Sequence, residues 1–195
     1  MSELRLSSTK LPPVWRVNTP HDDVKAERLE DVRFAANLAE VVAGNAPSIY
    51  SDSVEFFSKT HPTKALTNLI ENVAARLNGE DVQCIWRLET FMGGGKTHAL
   101  IALYHMVKER SIPSKEFPTV KVPANSRIVS FVGTNPDPAA MTMWGEIAYK
   151  LGPQAYKLMK TSDENRSTPG VEKLKQVLGE QPTLILIDEI AHYLE

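Results

Sequence analysis

The sequence predicts an α/β fold in which a parallel sheet is flanked by helices and preceded by an N-terminal helical segment. Three apolar runs have the length and composition of strands, Val82–Leu88, Arg127–Val132 and Thr183–Ile187, and helical patterns separate them. Strands that alternate with helices predict a parallel sheet. The third run, Leu184–Ile187, is apolar at consecutive positions, which is typical of a strand covered on both faces.

The chain divides into three predicted parts. Residues 1–23 are polar and carry Pro12, Pro13 and Pro20, so we expect an extended N-terminal arm. Residues 24–79 form a helical segment, and residues 80–195 form the core that contains the strands. Within these parts the apolar spacing predicts helices over residues 24–43 (ended by Gly44), 63–77 (ended by Gly79), 96–109, 139–160 (broken at Gly152-Pro153) and 171–178.

Composition excludes several classes of protein. The net charge of −2 over 195 residues argues against a strongly basic surface for nucleic acid, although a local basic groove stays open. The single cysteine, Cys84, lies in an apolar run and is expected to be a buried thiol in a reducing compartment. The chain shows no signal peptide and no apolar stretch long enough to span a bilayer, so we expect a cytoplasmic protein without a membrane partner.

A glycine-rich loop follows the first predicted strand. Gly93, Gly94 and Gly95 enter a helix that starts with Lys96 and Thr97. Such a loop presents backbone N–H groups and the positive end of a helix to phosphates. Lys96 would reach the β and γ phosphates of ATP, and the Thr97 hydroxyl would ligate Mg²⁺.

The loop departs from the usual P-loop pattern, or Walker A motif, at one position. Thr90 stands where the first glycine is usual, so a flexible surface turn is the alternative explanation of the glycines. The flanking strand and amphipathic helix favour the P-loop. His98 follows Thr97 in this run and is included among the predicted nucleotide-binding residues.

Two acids end the third predicted strand. The carboxyl ends of parallel strands are where such sheets bind ligands, so Asp188 is predicted to hold Mg²⁺ as a Walker B acid. Glu189 would orient or deprotonate the attacking water, and Lys96 would act with it in catalysis. The alternative is a helix N-terminus stabilised by two acids. Gly133-Thr134-Asn135 follows the second strand, either as a polar contact to the γ phosphate or as a simple turn before Pro136.

The run from Arg87 to His105, which contains Gly93-Gly94-Gly95-Lys96-Thr97, resembles the nucleotide-binding loop of a family of large bacterial and archaeal ATPases. This family is related to the AAA+ class and has long been labelled a domain of unknown function. Some members occur in phage-exclusion (BREX-type) and other DNA-modification defence islands. The resemblance extends over Phe56–Leu77 and Leu184–Leu194, and it implies ATP rather than GTP as the nucleotide.

The resemblance also implies a further strand, carrying a polar sensor residue, between the strand before the loop and the strand before Asp188. No such strand follows Asp188-Glu189 in these 195 residues, so the P-loop NTPase sheet is expected to be incomplete, the chain is expected to be a fragment, and hydrolysis by it alone is expected to be weak. Alternatively, these two strands are adjacent, as in kinase-like P-loop proteins.

Three functions follow from these features. The leading hypothesis is an ATP-binding module of a motor or switch in a DNA-directed defence complex, completed by another part of a longer chain or by a homo-oligomer. DNA and proteins of that complex are its hypothetical partners. The second is a non-catalytic interaction module with a vestigial or structural P-loop. A small-molecule kinase is disfavoured, because Glu189 beside Asp188 suits water activation.

Overall fold

The computed structural model describes residues 12–20, 22–26, 36–89, 93–134 and 140–194. The chain divides into two compact units, residues 1–35 and 36–195. In the first unit the described residues contain two four-residue helices, α1 (Val14–Val17) and α2 (Asp22–Lys25). The expectation of a wholly extended arm over residues 1–23 is therefore wrong at residues 14–17 and 22–23. Pro13 precedes α1, and its carbonyl accepts the Arg16 N–H at 2.8 Å; proline suits a helix start because its φ is already helical.

The second unit contains nine helices and two strands among its described residues. They are α3 (Leu38–Ala43), α4 (Ser48–Ser51), α5 (Ser53–Lys59), α6 (Lys64–Leu77), α7 (Lys96–Glu109), β1 (Arg127–Val132), α8 (Met143–Leu151), α9 (Pro153–Glu164), α10 (Val171–Leu178), β2 (Thr183–Asp188) and α11 (Ile190–Leu194).

The sheet consists of β1 and β2, which pair in parallel with Arg127 opposite Thr183 and Val132 opposite Asp188. The Arg127 N–H donates to Pro182 O at 2.8 Å, and the Gly133 N–H donates to Asp188 O at 2.9 Å. In a parallel ladder only every second residue of a strand directs its backbone N–H and C=O groups at the neighbouring strand. In this sheet these are the odd-numbered residues of β1 and the even-numbered residues of β2. The remaining backbone groups point to the two outer edges.

Helices cover both faces of this sheet. On one face Val132, Leu184 and Leu186 join a core to which α3, α5, α6 and α7 contribute, and Phe56 and Phe57 are fully buried there. On the other face Val129, Phe131 and Ile185 pack against α8. The helix α9 packs on α8, and α10 packs on α9. The consecutive apolar residues of β2 therefore reflect burial of both faces, as expected.

The outer edge of β1 is blocked by a lysine. Lys150 of α8 donates from Nζ to the carbonyl of Ser130 at 2.7 Å and pairs with Glu146 at 2.6 Å. The Ser130 carbonyl is among those that point away from β2. A charged group bonded to the exposed edge of a strand disfavours pairing with a further strand. In the described part of the chain no strand pairs with the outer edge of β2.

The predicted strand Val82–Leu88 is wrong. Residues 82–89 have no regular secondary structure, and Ile85 is 76% exposed. Cys84 is exposed as well, so the expectation of a buried thiol is also wrong. The physical reason is that a strand is stable only when its backbone groups are paired, and no strand of the described residues pairs with this segment. Trp86 alone is partly buried against the main core.

The adjacent, kinase-like arrangement of the first and third predicted strands is not found among the described residues, since residues 82–88 form no strand that could pair with β2. The helix predicted over 24–43 is interrupted, because Asn37 is extended and caps α3 by accepting the Ala39 and Glu40 N–H groups. Residues 27–35 lie outside the described part. Gly44 ends α3 in a left-handed conformation, as predicted.

Candidate functional site

The glycine loop has the backbone conformation that only glycine adopts readily. Gly93 and Gly95 have φ angles of +77° and +76°, in the left-handed region. A Cβ at either position would meet no atom within 4 Å, so the backbone conformation rather than crowding requires glycine here. Thr90, where the usual first glycine is replaced, lies outside the described residues.

Lys96 and Thr97 are the first two residues of α7, and both are half-buried. Gly95 occupies the N-cap position, and no side chain of the described residues caps this end. The first N–H groups of a helix lack intrahelical partners, and the helix dipole makes that end positive. The helix start at Lys96 is therefore confirmed, and phosphate binding at this positive helix end stays a prediction.

The side chain of His98 is directed at α5. Its Nε2 lies 2.9 Å from Thr60 Oγ1, and Thr60 donates its own proton to Phe56 O at 2.7 Å. The Thr60 oxygen therefore accepts, and Nε2 carries the proton. The imidazole stacks on Phe56 with 4.5 Å between ring centres, and burial lowers the pKa of His98. Its ring thus ties α7 to α5, and nucleotide binding by this residue stays a prediction.

A second histidine of α7 strengthens the same contact. His105 is 1% exposed, and its Nε2 donates to the carbonyl of Tyr50 at 2.7 Å. Rings of Phe56, Phe57 and Tyr104 surround it, and burial lowers its pKa. The helix that begins with Lys96 is thereby fixed to α4 and α5 by two imidazole rings.

Asp188 and Glu189 differ in environment. Asp188 is the last residue of β2 and is 8% exposed, whereas the side chain of Glu189 is 52% exposed and lies 3.8 Å from His192. Side chains alternate along a strand, so Asp188 lies on the face of Leu184 and Leu186, which is the face covered by α7. Both acids therefore lie at the carboxyl end of β2, and Asp188 is on the sheet face that α7 covers.

The backbone of Glu189 is held in an uncommon conformation. Its φ is +50°, which is unusual for a residue other than glycine, and its N–H donates to Asp188 Oδ1 at 3.1 Å. Its carbonyl lies against Gly133, where a Cβ would be 2.1 Å from Glu189 O. Uncommon backbone conformations persist where surrounding contacts fix them, and they cluster at functional sites.

Sequence reasoning missed Gly133 in this role, although its position directly after β1 was a signal that could have indicated it. Asn135, the other candidate in this segment, lies outside the described residues, and Thr134 is exposed. Among the described residues no cluster of three or more His, Cys, Asp or Glu side chains could hold a metal. A magnesium ion is commonly bound by one or two protein oxygens together with substrate phosphates, and such a site needs no cluster of that kind.

One cavity of the described residues lies at the opposite end of the sheet. It measures about 350 Å³ and is lined by Arg127, Pro153 and Gln181 among others. None of the predicted site residues line it. Every helix of the described residues is too short or too polar to cross a bilayer.

Over residues 15–121 and 134–195 the chain matches the family described as the DUF499 N-terminal domain, and it belongs to that family. The matched segments contain the glycine loop, Lys96, Thr97, Asp188 and Glu189. No curated protein and no solved structure matches the chain.

Proposed function

We propose that this member of the DUF499 N-terminal domain family is the ATP-binding module of an ATPase. The observation that carries the proposal is that Gly93 and Gly95 hold left-handed conformations immediately before α7, while buried Asp188 ends β2 on the sheet face that α7 covers. Phosphate binding at a helix start, with a carboxylate on the facing strand for Mg²⁺, is the chemistry this arrangement suits.

Each residue has a separate role in this proposal. Amides of the loop and the ammonium of Lys96 bind the phosphates, and the Thr97 hydroxyl and Asp188 hold Mg²⁺. Glu189 is exposed and follows Asp188 directly, so it is the group available to orient or deprotonate water. ATP and Mg²⁺ are the ligands, and the motor or switch role in a DNA-directed defence complex extends the proposal by resemblance.

The proposal includes a further strand beside β2. The N–H and C=O groups of Ile185 and Ile187 point away from β1, and Ile187 is 38% exposed although it belongs to an apolar strand. A strand pairing there would satisfy these groups and cover Ile187. Its other side would offer the unpaired segment 82–89 a partner, which would complete the sheet before the glycine loop.

Nucleotide binding tests the central claim. Wild-type protein should bind a fluorescent ATP analogue in the presence of Mg²⁺, and Lys96→Ala should weaken binding at least tenfold, because a phosphate-bound cation is lost. Lys157→Ala, which removes an exposed lysine of α9, is the matched control and should bind like the wild type. Equal affinities of the wild type and Lys96→Ala would refute the role of Lys96.

Turnover separates binding from hydrolysis. Glu189→Gln should leave ATP affinity unchanged and abolish hydrolysis in the complete ATPase, since only the water-activating oxygen is altered.

The alternative function, a non-catalytic interaction module, is favoured by the exposed apolar segment around Ile85. It predicts no ATP-dependent rise in melting temperature at millimolar Mg²⁺ and ATP, because only a bound ligand stabilises the folded state.

A further inference from the structure

The short helix after Asp188-Glu189 is attached to the helices inserted between the strands. Tyr193 of α11 accepts a hydrogen bond on its hydroxyl oxygen from the backbone N–H of Met143, at 3.0 Å. Its ring packs edge-on against Phe131 of β1, with 5.2 Å between centres. Met143 is the first residue of α8, so its N–H has no partner within the helix. Tyr193 therefore supplies the partner that this amide lacks.

The same end of α8 is held from the other side by α9. Thr142, the N-cap of α8, donates both its N–H and its hydroxyl to Asp163 Oδ1, at 2.7 and 2.6 Å. Asp163 is 5% exposed and also accepts the Tyr156 hydroxyl at 3.2 Å. A Cβ at Gly145 would lie 2.2 Å from Asp163, so the contact is close. The start of α8 therefore has little freedom to move independently of α9.

At its other end α11 is continuous with Glu189. The Glu189 carbonyl accepts the His192 N–H at 3.2 Å and presses against Gly133, so the turn is confined between β1 and α11. A displacement of Glu189 must be absorbed either by Gly133 or by α11. Because the Gly133 N–H is hydrogen-bonded to Asp188 O, Gly133 is held in the sheet, and α11 is the element that moves more easily. Movement of Glu189 is thereby linked to the Tyr193–Met143 bond.

We propose that Tyr193 is a positioning residue through which the inserted helices α8–α10 regulate the turn that carries Glu189. This inference rests on the proposed ATPase function and names its regulatory element. Binding of Mg²⁺ and ATP near Asp188 shifts the Glu189 turn, and the shift alters the Tyr193–Met143 hydrogen bond. Such coupling is reciprocal. If bound nucleotide changes the affinity of a partner for the start of α8, that partner changes the affinity for nucleotide by the same factor.

The first arm of the test needs no nucleotide. Tyr193→Phe keeps the ring against Phe131 and removes only the hydroxyl, so hydrogen exchange of the Met143 amide should become at least tenfold faster. Tyr149→Phe is the control, because it removes an exposed hydroxyl from α8 itself and should leave that exchange unchanged. Unaltered Met143 exchange in Tyr193→Phe overturns the inference whatever ATP does.

The second arm adds Mg²⁺ and ATP. The exchange rate of the Met143 amide should change at least threefold in the wild type and should not change in Lys96→Ala. Tyr193→Phe should bind ATP, but its Met143 exchange rate should not respond to ATP. Lys96-dependent binding with no change at Met143 overturns the regulatory link and leaves the proposed function intact. Absence of ATP binding overturns both the proposed function and the regulatory link. The first arm still shows whether the hydrogen bond between Met143 and Tyr193 exists. If Tyr193→Phe fails to fold, the ATP-dependent change in the wild type decides.

Discussion

Replacing Gly133 with alanine would test the close contact at the ends of the two strands. The new Cβ would lie 2.1 Å from the Glu189 carbonyl oxygen and 2.9 Å from its carbonyl carbon. Both are backbone atoms, so no side-chain rotation relieves the overlap. Gly133 is not among the glycines with positive φ, so alanine can adopt its backbone conformation. Any loss of stability in this variant would therefore arise from the contact.

The size of the effect follows from these distances. Cβ contacts under 3.0 Å are essentially never seen, so the strand ends must separate by about 1 Å. Overpacking of this kind typically costs about 1–3 kcal/mol, and the rigid neighbours at this position place the expected loss at about 2–3 kcal/mol. For a chain of this length each kcal/mol lowers the melting temperature by about 2–4 °C, so we expect a decrease of about 4–12 °C.

Equilibrium urea denaturation and thermal melting would measure this loss. Gly170→Ala is a suitable control, because a Cβ there meets no atom within 4 Å and φ is −70°. We expect this control to change the free energy of unfolding by less than about 1 kcal/mol. If Gly133→Ala melted with the wild type and with Gly170→Ala, the close contact between Gly133 and Glu189 would not exist in solution.

Three further predictions concern buried and exposed side chains. Burial lowers the pKa of His98 and His105, so the unfolded state binds more protons, and the free energy of unfolding should fall as the pH drops below about 6.5. The slope is at most about 1.4 kcal/mol per pH unit for each histidine, and His105→Gln should reduce it; a pH-independent wild type between pH 7.5 and 5 would contradict this. Thr60→Val should lower the free energy of unfolding by about 1–3 kcal/mol, because it removes the acceptor of the His98 ring, whereas Thr60→Ser should retain most of it in the same denaturation experiment. Cys84 is exposed and should react with Ellman's reagent in the native state within about tenfold of its rate in urea; protection by a factor of one hundred would show that the thiol is buried.

Much of the second unit could be predicted from local patterns. The structure confirms helices at 64–77, 96–109 and 171–178 and strands at 127–132 and 183–188, within one residue of the expected bounds. The helix at 96–109 differs from an amphipathic helix, because all residues from Ile101 to Val107 are buried. The break at Gly152-Pro153 is confirmed as well, because proline begins α9 directly after Gly152.

Elements that depend on distant partners could not be predicted in this way. Residues 82–88 have the composition of a strand, but a strand needs a neighbour that sequence pattern alone does not identify. The same limit applies to the site. Gly93 to Thr97 and Asp188 were recognisable as local motifs, whereas the contact of Gly133 with Glu189 and the bond from Met143 to Tyr193 join residues about fifty positions apart.

Lys150 makes the two edges of the sheet different in their capacity to pair with a further strand. Its ammonium covers the outer edge of β1, whereas no strand of the described residues pairs with the outer edge of β2, so the sheet is open to a further strand at one edge only. A sheet that is open at one edge stops extending once a strand has paired with β2 and the outer edge of that added strand is covered. Replacing Lys150 by methionine would make both sides receptive, and a sheet with two open sides is the geometry from which open-ended fibres assemble.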